Sequence, residues 1–277
     1  MAATVRARSG RDGRGGGHGG AERAGGGLPG AVAAEWTKLW SLRSTWWGLA
    51  SAVVLMGLMC LVLASSTVSN NTNEVASDDQ GVVSVSGVAI SALDMVQFVV
   101  VAVAILVITG EYATGGIRST LQWVPRRGRM LVAKAVVLAA VTLPAGVVLG
   151  VVGTAVAGPV LGGWGRFRAV VFVDDVLQAG VYLALVSVLV LGLGAMLRST
   201  AGTLTTAFLF LLVVPMLLVN AGSSVGRRAA DVLPSGAGRH FMSGDGPYPA
   251  GVGAAILAAW AVAALWGGVL VLRRRDA

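Results

Sequence analysis

Six long apolar stretches dominate the chain, and the polar positions gather into short segments between them. The stretches run about from Trp46 to Ala64, Ser86 to Thr109, Leu131 to Ala157, Val176 to Leu197, Ala201 to Asn220 and Ala250 to Leu272. At a rise of ~1.5 Å per residue, each is long enough to cross a hydrocarbon layer of ~30 Å as a helix. The fourth and fifth are separated only by Arg198, Ser199 and Thr200, which predicts a tight helical hairpin. Pro144 and Pro215 fall inside apolar stretches and are expected to kink their helices.

A shorter pattern precedes the first span. Between Ala31 and Arg43, the residues Val32, Trp36, Leu39 and Trp40 recur at i, i+4, i+7 and i+8 on one helical face. Glu35 flanks that face, and Lys38 and Ser41 point away from it. Two indoles beside Lys38 and Arg43 suit the headgroup layer, so this amphipathic helix is expected to lie along the membrane. Ahead of it, residues 1–30 are rich in Gly and Arg and hold no apolar core of a signal peptide, which reads as a disordered cytoplasmic tail. Gly15, Gly17 and Gly20 match a dinucleotide-binding spacing, but no strand precedes them and a glycine tract matches by chance. The expected organisation is therefore a tail, 1–30, and a six-helix transmembrane domain, 31–277.

Composition narrows the class. Of 277 residues, 55% are hydrophobic and 12% charged, against roughly 25% charged in soluble domains. The mean hydropathy is +0.78. Such a chain lacks the polar side chains to cover a soluble globule, which argues against a soluble enzyme, a disordered regulator or a secreted disulfide scaffold. The one cysteine, Cys60, lies in an apolar run and reads as packing. Two lysines stand against nineteen arginines, a bias associated with GC-rich bacterial genomes.

The net charge of +8 fits cationic loops at a membrane surface rather than a nucleic-acid partner. With a cytoplasmic N-terminus, 16 of the 21 basic residues fall on the inner side. Arg166, Arg168, Arg227, Arg228 and Arg239 remain outside, and the first outer loop, Ser65 to Val85, is purely acidic. The positive-inside rule is met with six spans and both termini cytoplasmic, in an all-α integral membrane protein of a bacterial plasma membrane.

Candidate chemistry is sparse. No ionisable group is expected at mid-membrane. Asp94 comes nearest, at the outer boundary, sharing a helical face with Ser91 and lying near Gln97. These three read as a snorkelling outer helix end, or, functionally, as the polar lining of an outward cavity. Gly146, Gly150, Thr154 and Gly158, four apart, predict close helix packing, within the chain rather than in a dimer seam. Gly222-Ser223-Ser224-Val225-Gly226 matches GxSxG, with Asp231, His240 and Asp245 following. A nucleophile elbow needs a strand before its Ser and a helix after it, and here a membrane helix precedes, so the segment reads as a polar Gly/Ser loop. Its Val232, Leu233, Phe241 and Met242 are expected to dip into the outer leaflet. No metal motif appears.

The inner segment from Glu111 to Arg129 carries more information. Ile117, Leu121 and Val124 recur at i, i+4 and i+7, Thr114 or Gly115 can start a turn and Pro125 ends it. A short apolar stripe beside arginines suits either a partner's groove or lipid headgroups, and the residues alone do not choose between them.

Two stretches here resemble the membrane subunits of type-2 ABC exporters. One is Glu35-Trp36-Thr37-Lys38-Leu39 with Ser41 and Arg43-Ser44-Thr45-Trp46, similar to the family's N-terminal elbow helix. The other is Glu111-Tyr112 with Thr114-Gly115, Ile117-Arg118 and Pro125-Arg126-Arg127-Gly128-Arg129, similar to its first inner loop. Ala113 and Gly116 depart from the more polar residues of that pattern. The resemblance implies a permease subunit that exports cargo, pairs with a second copy or a paralogue, and docks a separate cytoplasmic ATPase through this loop. Glu111, Tyr112, Thr114, Gly115, Ile117, Arg118 and Leu121 would make that contact. ATP and magnesium would sit on the partner. Lys38 follows Thr37 and Lys134 follows Ala133, so neither ends a Gly-Lys-Ser/Thr phosphate loop and no ATPase site is expected in this chain. The alternatives are a membrane-embedded enzyme acting at Ser224 and His240 of the outer loop, and a non-transporting membrane scaffold.

Overall fold

A segment surrounded by hydrocarbon must satisfy its own N–H and C=O groups, and each apolar stretch does so as a helix. The computed structural model describes residues 27–73, 75–113 and 127–274. Its helices are α1 (Leu28–Ser41), α2 (Arg43–Thr72), α3 (Val85–Ala113), α4 (Arg127–Leu161), α5 (Ala169–Leu197), α6 (Thr200–Phe208), α7 (Val214–Asn220), α8 (Ser224–Val232), α9 (Pro234–Ser243) and α10 (Ala250–Arg274). A π turn, Leu209–Val213, joins α6 to α7 as one span. Six of the resulting segments are long and apolar enough to cross a membrane.

The spans run past the apolar stretches, because polar ends can stay helical by bonding back to their own backbone. α2 continues from Ala64 through Ser65, Ser66 and Thr67 to Thr72. Thr67 and Thr72 donate to Leu63 O and Val68 O, at 3.1 and 2.8 Å. Asn71 then pins the following loop, accepting the N–H groups of Gln80 and Gly81 at 2.7 and 3.0 Å. α5 begins at Ala169, not Val176, and so takes Asp174 and Asp175 into its first turns. α1 begins at Leu28, with Pro29 in the first turn, where a missing N–H is harmless.

α3 and α5 form the centre, with 61% and 67% of their most apolar windows buried, against 22% for both α2 and the α6–α7 span. α4 and α5 meet backbone to backbone. A Cβ on Gly146 would lie 2.7 Å from Ala179 O, and one on Gly180 would lie 2.7 Å from Leu143 O. Gly150 faces Val176, and Gly158 faces Val85 at the start of α3. The small-residue stripe of α4 is thus consumed inside the chain, where tight packing substitutes for a hydrophobic driving force. Gly192 of α5 sits equally close to the Ala264 backbone of α10. Cys60 is buried in the core.

The predicted hairpin between α5 and α6 is present. Arg198 adopts the left-handed conformation at φ 54°, and Ser199 caps α6 by accepting the Gly202 N–H at 3.1 Å. Pro144 lies within an unbroken α4, whereas Pro215 follows the π turn, which re-registers the bonds a proline cannot make. Val83–Ser84 and Gly165–Arg166 pair as a two-residue parallel ladder, because both segments feed helices, α3 and α5, that leave in the same direction.

The segment from Ala221 to Pro249 is not an open polar loop. It folds as α8 and α9, which lie over the end of the bundle. Gly238 of α9 rests on the Tyr182 ring of α5, and Gly253 of α10 rests on Ala237 O and the Phe241 N–H. Met242 is buried and Phe241 packs on the core, so these two turn inward rather than toward lipid. α2, α4 and α7 finish at this end, the cap end.

Candidate functional site

A cavity of about 310 Å³ opens under the cap, between α3, the π turn with α7, and α8–α9. Asp94 and Gln97 of α3 reach it, as do Asp231, Arg239 and His240 of the cap, and Leu211, Leu212, Pro215, Met216 and Val219 form an apolar wall. Irregular backbone within a span is tolerated where it lines a cavity, and the π turn does so here. Asp94 lies nine residues into α3, ~14 Å along the helix from its cap-end start. Its carboxylate faces Arg239 Nη2 at 3.6 Å, with side-chain exposures of 39% and 59%. Gln97 is buried and braces the floor. Its Nε2 donates to Asp94 O at 2.9 Å, and its Oε1 accepts from the buried Tyr182 hydroxyl at 2.6 Å.

Sequence reasoning grouped Ser91 with Asp94 and Gln97, but the structure separates it. Ser91 is exposed, donates to Gly87 O at 3.1 Å, and lines a different crevice of about 250 Å³ with Thr67, Gln80 and Ser84. At ~100° per residue Ser91 and Asp94 stand only ~60° apart around α3, and the two clefts open on either side of that offset.

The cap is held by its own polar network. His240 Nε2 meets Asp231 Oδ1 at 3.0 Å, and Nδ1 faces Asp245 O at 3.2 Å. The Tyr248 hydroxyl donates to the Asp231 carbonyl, and its ring stands edge-on to His240 at 5.2 Å. Burial raises the Tyr248 phenol above its ordinary pKa, and the Asp231 charge adds to the rise. Trp260 of α10 donates to Val232 O at 2.9 Å, fastening the end of α8.

The GxSxG residues do not join this network. Ser223 is the N-cap of α8, accepting the Gly226 N–H at 2.9 Å, and Ser224 is an exposed first-turn residue. Both ring nitrogens of His240 face other groups, and neither is Ser224. Among the described residues, no three His, Cys, Asp or Glu side chains gather as a metal site.

A different arrangement lies at the opposite end. The face of α1 buried against the bundle is Ala31, Glu35 and Leu39, while Trp36 of the expected membrane-lying face is exposed. Glu35 has a partner in the bundle. Its Oε2 accepts from Lys134 Nζ of α4 at 2.5 Å, with side-chain exposures of 9% and 0%. Lys134 thus lies buried near the start of a candidate span. Such a pair is stable only with close geometry, since each ion alone carries a large desolvation penalty. Burial lowers the Lys38 ammonium pKa, the Lys134 charge lowers it further, and Glu35 offsets part of this. The sequence signal for the pair was slight: Glu35 is four residues from both Ala31 and Leu39, and nothing local names a partner 99 residues away. Arg43 is exposed at the start of α2.

Of the predicted docking residues, Glu111 and Tyr112 belong to the last turn of α3, where the backbone alone is described. Thr114, Gly115, Ile117, Arg118 and Leu121 lie outside the described residues, as do 1–26 of the tail.

Fold and cavity together define a multi-pass helical membrane protein with a charged pocket under a helical cap. No protein-family model matches the chain, and no curated protein matches it.

Proposed function

We propose that the chain is the permease subunit of an ATP-driven type-2 ABC exporter in a bacterial plasma membrane. In this reading α1 is the interfacial elbow helix, both termini are cytoplasmic, and a second copy or a paralogue completes the export path. Residues 111–126 dock a separate cytoplasmic ATPase, which carries the ATP and magnesium.

One observation carries the reading. The exporter resemblance rests on two stretches far apart in sequence, around Glu35 and around Glu111 to Arg129. An ion pair joins the first to Lys134, five residues past the second. A soluble motor can move membrane helices only through an element that is both docked and stiffly attached. α1 strapped to the start of α4 supplies that attachment beside the loop. The small-residue packing of α4 on α5 then extends the rigid unit toward the cap end.

The test is co-purification with the candidate ATPase. Glu111→Ala and Ile117→Asp are expected to abolish association, or to uncouple ATP hydrolysis from export, with membrane insertion unchanged. Normal association and coupling in both variants would refute the assignment.

A further inference from the structure

Asp94 presents an unusual electrostatic position. An ionisable residue inside a span is expensive, faces the bundle interior or a cavity, and marks a functional site by default. Here it faces the cap-end cavity, and among the described residues its carboxylate has one side-chain partner, Arg239, at 3.6 Å. That is longer than the ~2.7–2.9 Å of a close charge-assisted hydrogen bond. The second carboxylate of the cavity, Asp231, is engaged by His240 at 3.0 Å. The loose contact therefore belongs to Asp94 alone. Its floor is rigid, through Gln97 and the buried Tyr182, while Arg239 sits on a cap helix with 59% of its side chain exposed. The wall opposite is apolar, and about 310 Å³ falls in the range of small-ligand pockets.

We infer that this cavity binds an amphipathic organic cation, an amine or quaternary ammonium whose charge meets Asp94 and whose apolar body lies against Leu211, Pro215 and Met216. Arg239 is the internal counter-ion that the ligand displaces. A fixed carboxylate with a movable cationic partner favours an incoming cation. An incoming anion would gain only the exposed Arg239 and would meet Asp94 and Asp231 as repulsion. As a cargo class the inference rests on the exporter reading. As a binding site it does not, and its test uses the isolated chain without ATPase, so the two can fail separately.

The experiment is calorimetric titration of the detergent-solubilised full chain with benzyltriethylammonium, and with benzenesulfonate as the anionic comparator. Saturable binding of the cation alone is expected. Asp94→Asn should weaken it at least tenfold, Arg239→Gln should strengthen it severalfold, and Ser91→Ala should leave it unchanged. Because the two cavity variants must move affinity in opposite directions, a generally loosened cap cannot mimic the result. Melting curves of each variant establish that it is folded. Equal binding of benzenesulfonate, unchanged affinity in folded Asp94→Asn, or weaker cation binding in folded Arg239→Gln would each overturn the inference.

Discussion

Glu35→Ala removes the carboxylate that lies 2.5 Å from a lysine whose side chain is wholly buried. At an effective dielectric of ~20, unit charges at 2.5 Å attract by ~7 kcal/mol before desolvation is counted. Desolvation of both groups takes much of that back, and losing one partner of a buried pair typically costs ~3–5 kcal/mol. Glu35→Ala is therefore expected to lose ~3–5 kcal/mol. The assay is reversible unfolding in detergent micelles followed by far-ultraviolet circular dichroism. Glu35→Leu combined with Lys134→Met should come within ~1.5 kcal/mol of the parent, since the paired charges are then replaced together. A deficit below ~1 kcal/mol would refute the account of α1 as a helix held by a buried charge.

Gly192→Ala would place a Cβ 2.4 Å from the Ala264 carbonyl carbon of α10, an obstacle made of backbone. A loss of ~3 kcal/mol in the same unfolding assay is expected, whereas Gly251→Ala, which meets open space, should be neutral or gain up to ~1 kcal/mol. The Tyr248 phenol is raised by burial and by Asp231, so its contribution to cap stability is complete below the unfolded pKa of ~10 and lost as pH climbs through the higher folded value. Exchange of amide protons in α8 and α9, measured from pH 9 to 11 and corrected for intrinsic rate, should show loosening in the parent chain that Tyr248→Phe removes.

Uneven parts of this structure are legible in the sequence, for physical reasons. The six spans announce themselves because hydrocarbon tolerates only long apolar helices, and the Arg198–Ser199 hairpin follows from the lack of residues between two of them. Span ends are obscured where Ser, Thr and Asn bond to their own helix, as at Thr67 and Asn71, and so resemble loop composition. The cap escapes a hydropathy reading because α8 and α9 are short and rich in Gly, Ser and Arg. Its local signals were nevertheless present, in Ser223 three residues before Gly226 and in Pro234 opening a helix. Asp94 and Gln97 line one cavity and Ser91 another, because periodicity gives a shared face but not which cleft each residue of that face meets. The Glu35–Lys134 pair was out of reach, since no local pattern links an α1 flank to an α4 interior.

α3 ties the two ends of the molecule together. It runs without a break from Val85 to Ala113, with Asp94 near its cap end and Glu111 in its last turn. Seventeen residues separate these two, ~25 Å of helix. Thr109 near the far end is bonded to Thr200 at the start of α6, at 2.9 Å, so α3 also meets the span whose π turn and Pro215 line the cavity. Packed interiors shift between discrete arrangements rather than bending continuously. A displacement imposed at the Glu111 end would therefore reach the cavity in two ways: along α3 to Asp94, and through Thr200 along a span that has a re-registered joint beside the apolar wall. Arg239 belongs to neither, being held on the cap by the His240–Asp231 and Trp260 contacts. The Asp94–Arg239 distance is thus the quantity that motion at the opposite end would change, and among the described residues it is the loose ionic contact of the cavity.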